Sequence, residues 1–326
     1  MTVASAPPGS GGSEGASARA DAPRGPRAPL LPGPDGVLVT GASTGIGRAC
    51  ALRLARRGFR VYAGVRRDED AASLRGEGVP GLEPILLDVA DAASIASAAA
   101  RLDAELGDAG LAGVVNNAGI ATAGMLEFLP LDDLRRQLEV NVVGVVAVTQ
   151  ACLALLRRRG VVAAGRVRRG PGRIVLVGSS SGYLATPVTG AYAASKFALE
   201  ALADAWRLEL APWQIPVSLV QPGAIATPIW EKSNDAANAR LAALPEEARR
   251  LYAPLIEAAQ RAVGQRSGAA IPADVVAQAV EHALTSSAPR TRYRVGTDAK
   301  LQYALARLLP DRLRDRVLLR VLGMGR

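Results

Sequence analysis

Apolar and polar positions fall into two alternating patterns along most of this chain. From Gly36 onward, short runs rich in Val, Ile and Leu are bounded by Gly, Pro or Asp, and longer segments with apolar residues three and four apart lie between them. A short all-apolar run fits a strand covered on both faces, and three-and-four spacing fits a helix with one packed stripe. The pattern predicts strands over Val37–Thr40, Phe59–Val65, Leu82–Asp88, Leu111–Asn116, Arg173–Gly178 and Pro216–Val220. It predicts helices over Gly45–Arg57, Ala92–Leu106, Leu131–Arg157, Ala191–Leu210 and Ala273–Leu284, a last strand over Arg292–Val295, and a helical, basic tail from Leu301. Strand–helix alternation of this kind implies an α/β fold: one Rossmann-type, doubly wound parallel sheet with helices on both faces and right-handed crossovers.

Three segments depart from the rhythm. Residues 1–35 are mostly Ala, Pro, Gly and Ser and bury too little apolar surface to offset chain entropy, so a disordered N-terminal tail is expected there, followed by one folded unit over 36–326. Residues 157–172 form a basic, glycine-containing connection that is long for a helix-to-strand link. After Pro222 the pattern turns irregular and helical, so a lid region is expected over about 224–270, with a helical C-terminal extension over about 298–326.

Composition narrows the function. With 49% hydrophobic residues in a chain of 326, a sizeable core is available. The net charge is +9, but the Arg excess sits in the tail, in 157–173 and after Pro289, without interleaved aromatics, so no nucleic-acid partner is expected. Cys50 and Cys152 each lie within a helical pattern and fit core thiols in a reducing compartment. His282 is the only histidine, which argues against a His-based triad and a His/Cys zinc site, so no metal is expected. No run of about 18 apolar residues and no signal-peptide pattern is present, so a cytoplasmic location without a transmembrane helix is expected.

The first strand runs into Thr40-Gly41-Ala42-Ser43-Thr44-Gly45-Ile46-Gly47. Gly41 permits a tight turn, Gly45 lets the backbone approach a pyrophosphate, and Gly47 lets the helix pack on the sheet, with the helix N-terminus facing the anion. The second strand ends Ala63-Gly64-Val65-Arg66-Arg67, with no acid before Asp68 to take a ribose 2′-hydroxyl. Arg66, with Arg48 nearby, suits a 2′-phosphate, so NADP is favoured over NAD; solvated surface arginines are the plainer alternative.

The glycine loop, Asn116-Asn117-Ala118-Gly119, Tyr192-Ala193-Ala194-Ser195-Lys196 and Pro222-Gly223 occur in that order. Together they resemble the classical short-chain dehydrogenase/reductase family from about residue 36 to 230, and the stretches Val61–Val89 and Ala191–Leu210 resemble its hydroxysteroid and retinol dehydrogenase branch. The resemblance implies cofactor contacts from Gly41, Ser43, Thr44, Gly45, Ile46 and Gly47, from Arg66, Asp88 and Val89, from Asn117, Ala118 and Gly119, and from Pro222, Gly223, Ile225 and Thr227. Asp88 would touch the adenine, Asn116 together with Ala118 and Gly119 would steady the sheet beside the adenine ribose, and Ile225 and Thr227 would hold the nicotinamide carboxamide. Asp88 fits a helix cap before Ala90 equally well.

For catalysis the resemblance implies Ser179, Tyr192, Lys196 and Asn141, with Ser180 and Ser181 adjacent to the serine position. Tyr192 and Lys196, four apart, share a helix face. A free tyrosine titrates near pH 10, and a nearby ammonium favours its phenolate. Tyr192 would then pass a proton to or from the substrate oxygen, Ser179 would orient that oxygen, Lys196 would also bind the nicotinamide ribose, and Asn141 would hold a relay water.

The expected reaction is hydride transfer between NADP(H), or NAD(H), and a hydrophobic secondary alcohol, ketone or aldehyde. A dinucleotide sensor without turnover is the alternative. Trp230, Leu251, Tyr252, Leu255 and Ile256 suit either a substrate lid or a core-covering helix, and Tyr183 and Leu184 are further candidates to border the substrate. The family's interface helices correspond to 131–157 and 191–210, which implies a homodimer or homotetramer. The C-terminal apolar positions Leu313, Val317 and Val321 beside Arg312, Arg316 and Arg320 suit packing onto the domain or a second subunit better than a membrane surface.

Overall fold

The computed structural model describes residues 33, 35–159, 162–163, 166–167, 170–227 and 237–324, the backbone alone at 162–163, 166–167 and 262–269. The tail expected over 1–35 lies outside the described residues except for residues 33 and 35. Asp35 is buried and pairs with the equally buried Arg159 at 3.1 Å. Arg159 also donates to the Gly170 carbonyl.

The sequential elements are β1 (Gly36–Val39), α1 (Gly45–Arg56), β2 (Arg60–Val65), α2 (Asp68–Arg75), β3 (Leu82–Leu86), α3 (Ala92–Leu106), β4 (Leu111–Asn116), α4 (Leu131–Leu138), α5 (Gly144–Arg158), the short hairpin β5 (Val162–Ala163) and β6 (Arg166–Val167), β7 (Arg173–Val177), α6 (Gly190–Glu209), β8 (Val217–Pro222), α7 (237–243), α8 (Glu246–Leu251), α9 (Ala253–Ala269), α10 (Ala273–Thr285), β9 (Arg292–Val295), α11 (Thr297–Leu308) and α12 (Asp311–Val321). Seven strands form one parallel sheet in the order β3-β2-β1-β4-β7-β8-β9. The Rossmann-type fold expected from the pattern is therefore the fold observed.

Alternating side chains of each strand feed two cores. Val37 and Val39, Val61 and Ala63, Val175 and Val177, and Val220 point to one face, where they meet Cys50 and Leu54 of α1 and Val276, Val280 and Leu284 of α10. Leu38, Tyr62, Ile174, Leu176 and Leu219 point to the other, against Leu102 of α3, Val148 and Cys152 of α5, and Leu199 and Trp206 of α6. Each such buried side chain contributes roughly 1.5–3 kcal/mol. Removing most of one, as in Leu176→Ala, costs about 2–5 kcal/mol.

Two elements differ from the pattern-based expectation. Helix α2 gives little periodic signal, because only Ala71 and Leu74 face inward. The long helix expected over Leu131–Arg157 is interrupted by a π-helical turn at Glu139–Val143 between α4 and α5. Leu131–Arg158 is also long and apolar enough to cross a membrane, contrary to the expectation that no such segment exists. Its apolar stripe is occupied, however: Val145, Val148, Cys152, Leu155 and Leu156 belong to the second core.

Past β8 the chain leaves the sheet and pairs back on itself at one point outside the named strands. Ile225 bridges Ile271, with Ala226 N donating to Ile271 O at 3.0 Å and Ile271 N to Ala224 O at 3.1 Å. The expected lid region is thus an excursion whose two ends are hydrogen-bonded to each other.

Candidate active site

After β3 the chain crosses to β4 on the far side of β1, which makes β1/β4 the switch point of the sheet, and ligands of open α/β sheets bind beyond the strand C-termini there. A cleft of about 430 Å³ lies at that edge. It is lined from the ends of β1, β2, β3, β4, β7 and β8 and from α6.

At β1, Gly41 (φ +64°) and Gly45 (φ +57°) adopt left-handed backbone that favours glycine. A Cβ on Gly41 would stand 2.7 Å from Ala118 Cα, and one on Gly47 would collide with Gly41 O and Asn117 Nδ2. Gly47 itself does not line the cleft; its missing side chain lets α1 sit on the loop. Helix α1 has neither a side-chain cap nor an acid in its first turn, so its leading N–H groups are left for an anion. Gly41, Ser43, Thr44, Gly45 and Ile46 all line the cleft. This cradle fits a dinucleotide pyrophosphate.

The cradle is braced by a residue that the pattern did not mark. Thr40 Oγ1 accepts from Asn117 N (3.0 Å) and Ala118 N (2.9 Å), while Asn117 Nδ2 donates to Thr40 O (3.0 Å) and Gly41 O (3.1 Å). Asn117, Ala118 and Gly119 line the cleft; Asn116 lies beneath it and ties β4 to α5 through Thr149 Oγ1 at 2.9 Å.

Arg66 lines the cleft just past β2, with no carboxylate within ion-pair distance among the described residues. Its neighbour Arg67 is paired with Asp70 at 3.0 Å. Arg48, expected near the same phosphate, is instead drawn to Glu77 (2.6 Å) and Ser73 (3.3 Å) and does not line the cleft. Asp88 and Val89 line it past β3, and Asp88 Oδ1 also caps Ala90 N at 3.0 Å.

Of the three successive serines past β7, Ser179 alone lines the cleft, its Oγ accepting from Ser181 N at 3.1 Å. Tyr192 and Lys196 of α6 line it too, and both are largely buried. Lys196 Nζ lies 5.7 Å from the centre of the Tyr192 ring and donates to Val177 O at 2.9 Å. Burial disfavours the ammonium and lowers the Lys196 pKa to about 8. The turn into α6 is strained: Val188, β-branched, has φ +57°, held where Gly124 N donates to its carbonyl at 2.8 Å. Pro222, Gly223, Ile225 and Thr227 complete the wall past β8.

Asn141 sits in the π-helical turn, fully buried, and its side chain does not line the cleft. Its Oδ1 accepts from Ile120 N (2.8 Å) and its Nδ2 donates to Ile120 O (2.9 Å) and Ser195 Oγ (3.1 Å). Buried Gln137, one turn earlier, bonds Thr122 N (2.7 Å), Ile120 O (2.9 Å) and Ser195 Oγ (3.3 Å), and Ser195 Oγ donates to Tyr192 O (2.7 Å). This network binds the segment after β4 to the helix that carries Tyr192. Its available signal was a glutamine on the apolar face of a helix, four residues before Asn141.

The substrate-side expectations fare unevenly. Tyr183 turns away from the cleft to donate to Ala299 O at 2.6 Å, and Leu184 is buried without lining it. Tyr252 donates to Glu127 at 2.6 Å and meets the Phe128 ring edge-on at 5.7 Å, while Leu255 and Ile256 are half-buried and Leu251 is exposed. Trp230 lies outside the described residues. Arg240 of α7 reaches the cleft and pairs with Asp133 of α4 at 2.6 Å, which ties α7, within the segment expected as a lid, to the α4 side of the cleft. Cys50 and Cys152 are buried free thiols, each pushed up to about 12 by burial, and His282 bonds Tyr293 away from the cleft.

A glycine cradle and a Ser–Tyr–Lys cluster in one cleft define the class of dinucleotide-dependent oxidoreductases. The short chain dehydrogenase family model matches residues 35–238. An NADPH-dependent 3-dehydrocapnine reductase from Ornithobacterium rhinotracheale is 31% identical over 280 residues, covering 86% of this chain and 94% of that protein. Retinol dehydrogenase 5 from Homo sapiens is 37% identical over 292 residues, covering 88% of each. The crystal structure of a short-chain dehydrogenase from Streptomyces avermitilis superposes with a TM-score of 0.68 at 28% identity, over 89% of this chain and 97% of that one. The chain belongs to the short-chain dehydrogenase family, in the hydroxysteroid and retinol dehydrogenase branch. It is an NAD(P)-dependent oxidoreductase of alcohol and carbonyl substrates.

Proposed function

We propose that this enzyme interconverts hydrophobic secondary alcohols with ketones, or alcohols with aldehydes, using NADP(H) in preference to NAD(H), with Tyr192 as the acid/base. One observation carries the reading: Ser179, Tyr192 and Lys196 converge past β7 in the cleft that also holds the glycine cradle past β1. The nicotinamide, when bound, supplies or accepts the hydride. Tyr192 gives its hydroxyl proton to the carbonyl oxygen in reduction and takes it back in oxidation. Ser179 holds that oxygen by a hydrogen bond. Lys196, kept close to the Tyr192 ring by its bond to Val177 O, favours the phenolate while protonated. Asn141 acts through its clamp on Ile120 and Ser195, which sets the helix carrying Tyr192.

The NADP preference is supported by Arg66 just past β2, without an ion-pair partner among the described residues, and by the absence of an acid before Asp68 in the sequence there. A guanidinium suits a 2′-phosphate by bidentate, charge-assisted bonds. Asp88 and Val89 take the adenine side, and Gly223, Ile225 and Thr227 the nicotinamide side. The catalytic unit spans residues 36–326, with its lid over about 224–270. It works in the cytoplasm as a homodimer or homotetramer through Leu131–Arg158 and α6, where Val143, Phe197 and Leu208 are exposed.

The test is NADPH and NADH oxidation against a panel of hydrophobic ketones and aldehydes, with Tyr192→Phe in parallel. Turnover lost in Tyr192→Phe while the cofactor still binds supports the mechanism. Cofactor binding without turnover across the panel would turn the reading to a dinucleotide sensor.

A further inference from the structure

Helix α11 and the strand before it lie beyond the matched family segment, which ends at residue 238, yet they touch both walls that carry the chemistry. On one wall, Asp298 in the first turn of α11 accepts from Ala224 N through Oδ2 at 2.6 Å. Two glycines are shaped to this carboxylate. A Cβ on Gly223 would collide with both Asp298 oxygens, and a Cβ on Gly296 (φ +104°) would collide with Oδ1. Gly223 N donates in turn to Val295 O at 2.9 Å, so the segment after β8 is fixed from the β9–α11 side twice within two residues. On the other wall, Ala299 O accepts the Tyr183 hydroxyl at 2.6 Å, and Tyr303 of α11 packs edge-on against the Tyr183 ring at 5.4 Å. Tyr183 directly follows the Ser179 turn.

We propose that Asp298 is a positioning residue for the cleft: its carboxylate holds the Pro222–Thr227 segment against β9, and α11 sets the distance between that segment and the Ser179 turn. The placement follows from charge and geometry. A carboxylate in the first turn of a helix faces the positive end of the helix dipole, and a carboxylate accepting from a backbone N–H makes the stronger, charge-assisted kind of bond. Without it, the Ala224 amide loses its acceptor and Gly223 faces a void, which frees the segment that carries Ile225 and Thr227. The kinetic part rests on the oxidoreductase reading; the structural part does not.

The experiment compares full-length wild type with Asp298→Ala and Asp298→Asn. It reads amide hydrogen exchange over 222–227 without cofactor, NADPH dissociation by its fluorescence, and steady-state kinetics. For Asp298→Ala we expect exchange over 222–227 and the NADPH dissociation constant each to rise about tenfold, the effect of one charge-assisted hydrogen bond, with cofactor KM rising more than kcat falls. Asp298→Asn, which keeps one acceptor oxygen, recovers most of both. Exchange and dissociation constant within about twofold of wild type in folded Asp298→Ala would overturn the proposal. So would faster exchange across the whole sheet with NADPH affinity unchanged, the mark of a purely stabilising role. If Asp298→Ala does not fold, Asp298→Ser, too short to reach Ala224, is held to the same two thresholds. Should no carbonyl compound turn over, exchange and NADPH binding still decide this proposal, and the failure falls on the reaction alone.

Discussion

The cradle past β1 and the cluster past β7 are built by opposite means. The cradle works by missing atoms: Gly41, Gly45 and Gly47 leave room for backbone to approach backbone, and the open amides of α1 face the cleft. The cluster works by atoms held in place: Ser179, Tyr192 and Lys196 are near-buried side chains, and Ser179 and Lys196 are steadied by bonds to nearby backbone. In the first region the damaging change adds a methyl group. In the second it removes a single polar atom and leaves the packing alone.

The sharpest break of that contrast is Tyr192→Phe. It should lower kcat by about 10²–10⁴-fold, the usual share of a positioned acid/base, with NADPH binding retained and stability changed by less than about 1.5 kcal/mol. Activity surviving in this variant would move the chemistry to another group. Gly47→Val should do the reverse. Overlap with Gly41 O and Asn117 Nδ2 forces the loop open, costing about 1–3 kcal/mol by thermal melt and lowering NADPH affinity in titration by at least about tenfold. Arg66→Ala tests the edge of the cradle, where a side chain rather than bare backbone is at work. The ratio of NADPH to NADH kcat/KM should fall about 10–100-fold, with NADH kinetics nearly unmoved.

The smallest effect concerns stability and pH. Folded Lys196 loses its proton near pH 8, whereas the unfolded side chain does so near about 10.4. Between those values the unfolded chain binds more protons, so this residue makes wild-type stability rise with pH across that window. Below about 8 both states are protonated and the burial penalty stays constant. Lys196→Met abolishes that contribution, so the gap between variant and wild type in urea unfolding should shift toward wild type from about pH 7.5 to about pH 10, by at most about 3 kcal/mol. An unchanged gap would mean that Lys196 is not desolvated as its burial suggests.

The same contrast explains what could be read from the chain alone. Val-rich runs fold as strands because the sheet is covered on both faces, so β1, β4, β7 and β9 lie within a residue or two of their expected positions. The glycine loop was legible because its function is a spacing of absent side chains. The braces were not. Thr40, Gln137 and Ser195 act through bonds to segments distant along the chain, and no local periodicity records such partners. Asp298 is a plain first-turn acid until Gly223 and Gly296 are seen around it. Arg48 failed as a phosphate candidate for the same reason: nearness along the chain said nothing of Glu77, which reaches it from the turn after α2. The π-helical turn escaped because one extra residue barely disturbs an apolar stripe.

The paired ends at Ile225 and Ile271 have a consequence for how this scaffold can change. A segment that departs and returns at neighbouring positions is closed by that pairing whatever its length, and lengthening a closed loop costs only the logarithm of its size. Changes of length between Thr227 and Ile271 that spare Arg240 therefore leave that pairing, the cradle and the cluster in place. A chimaera that keeps Thr227 and Ile271 and exchanges the chain between them should hold the cradle and the Ser179, Tyr192 and Lys196 cluster in register, and a ketone panel would show what the exchange does to substrate range.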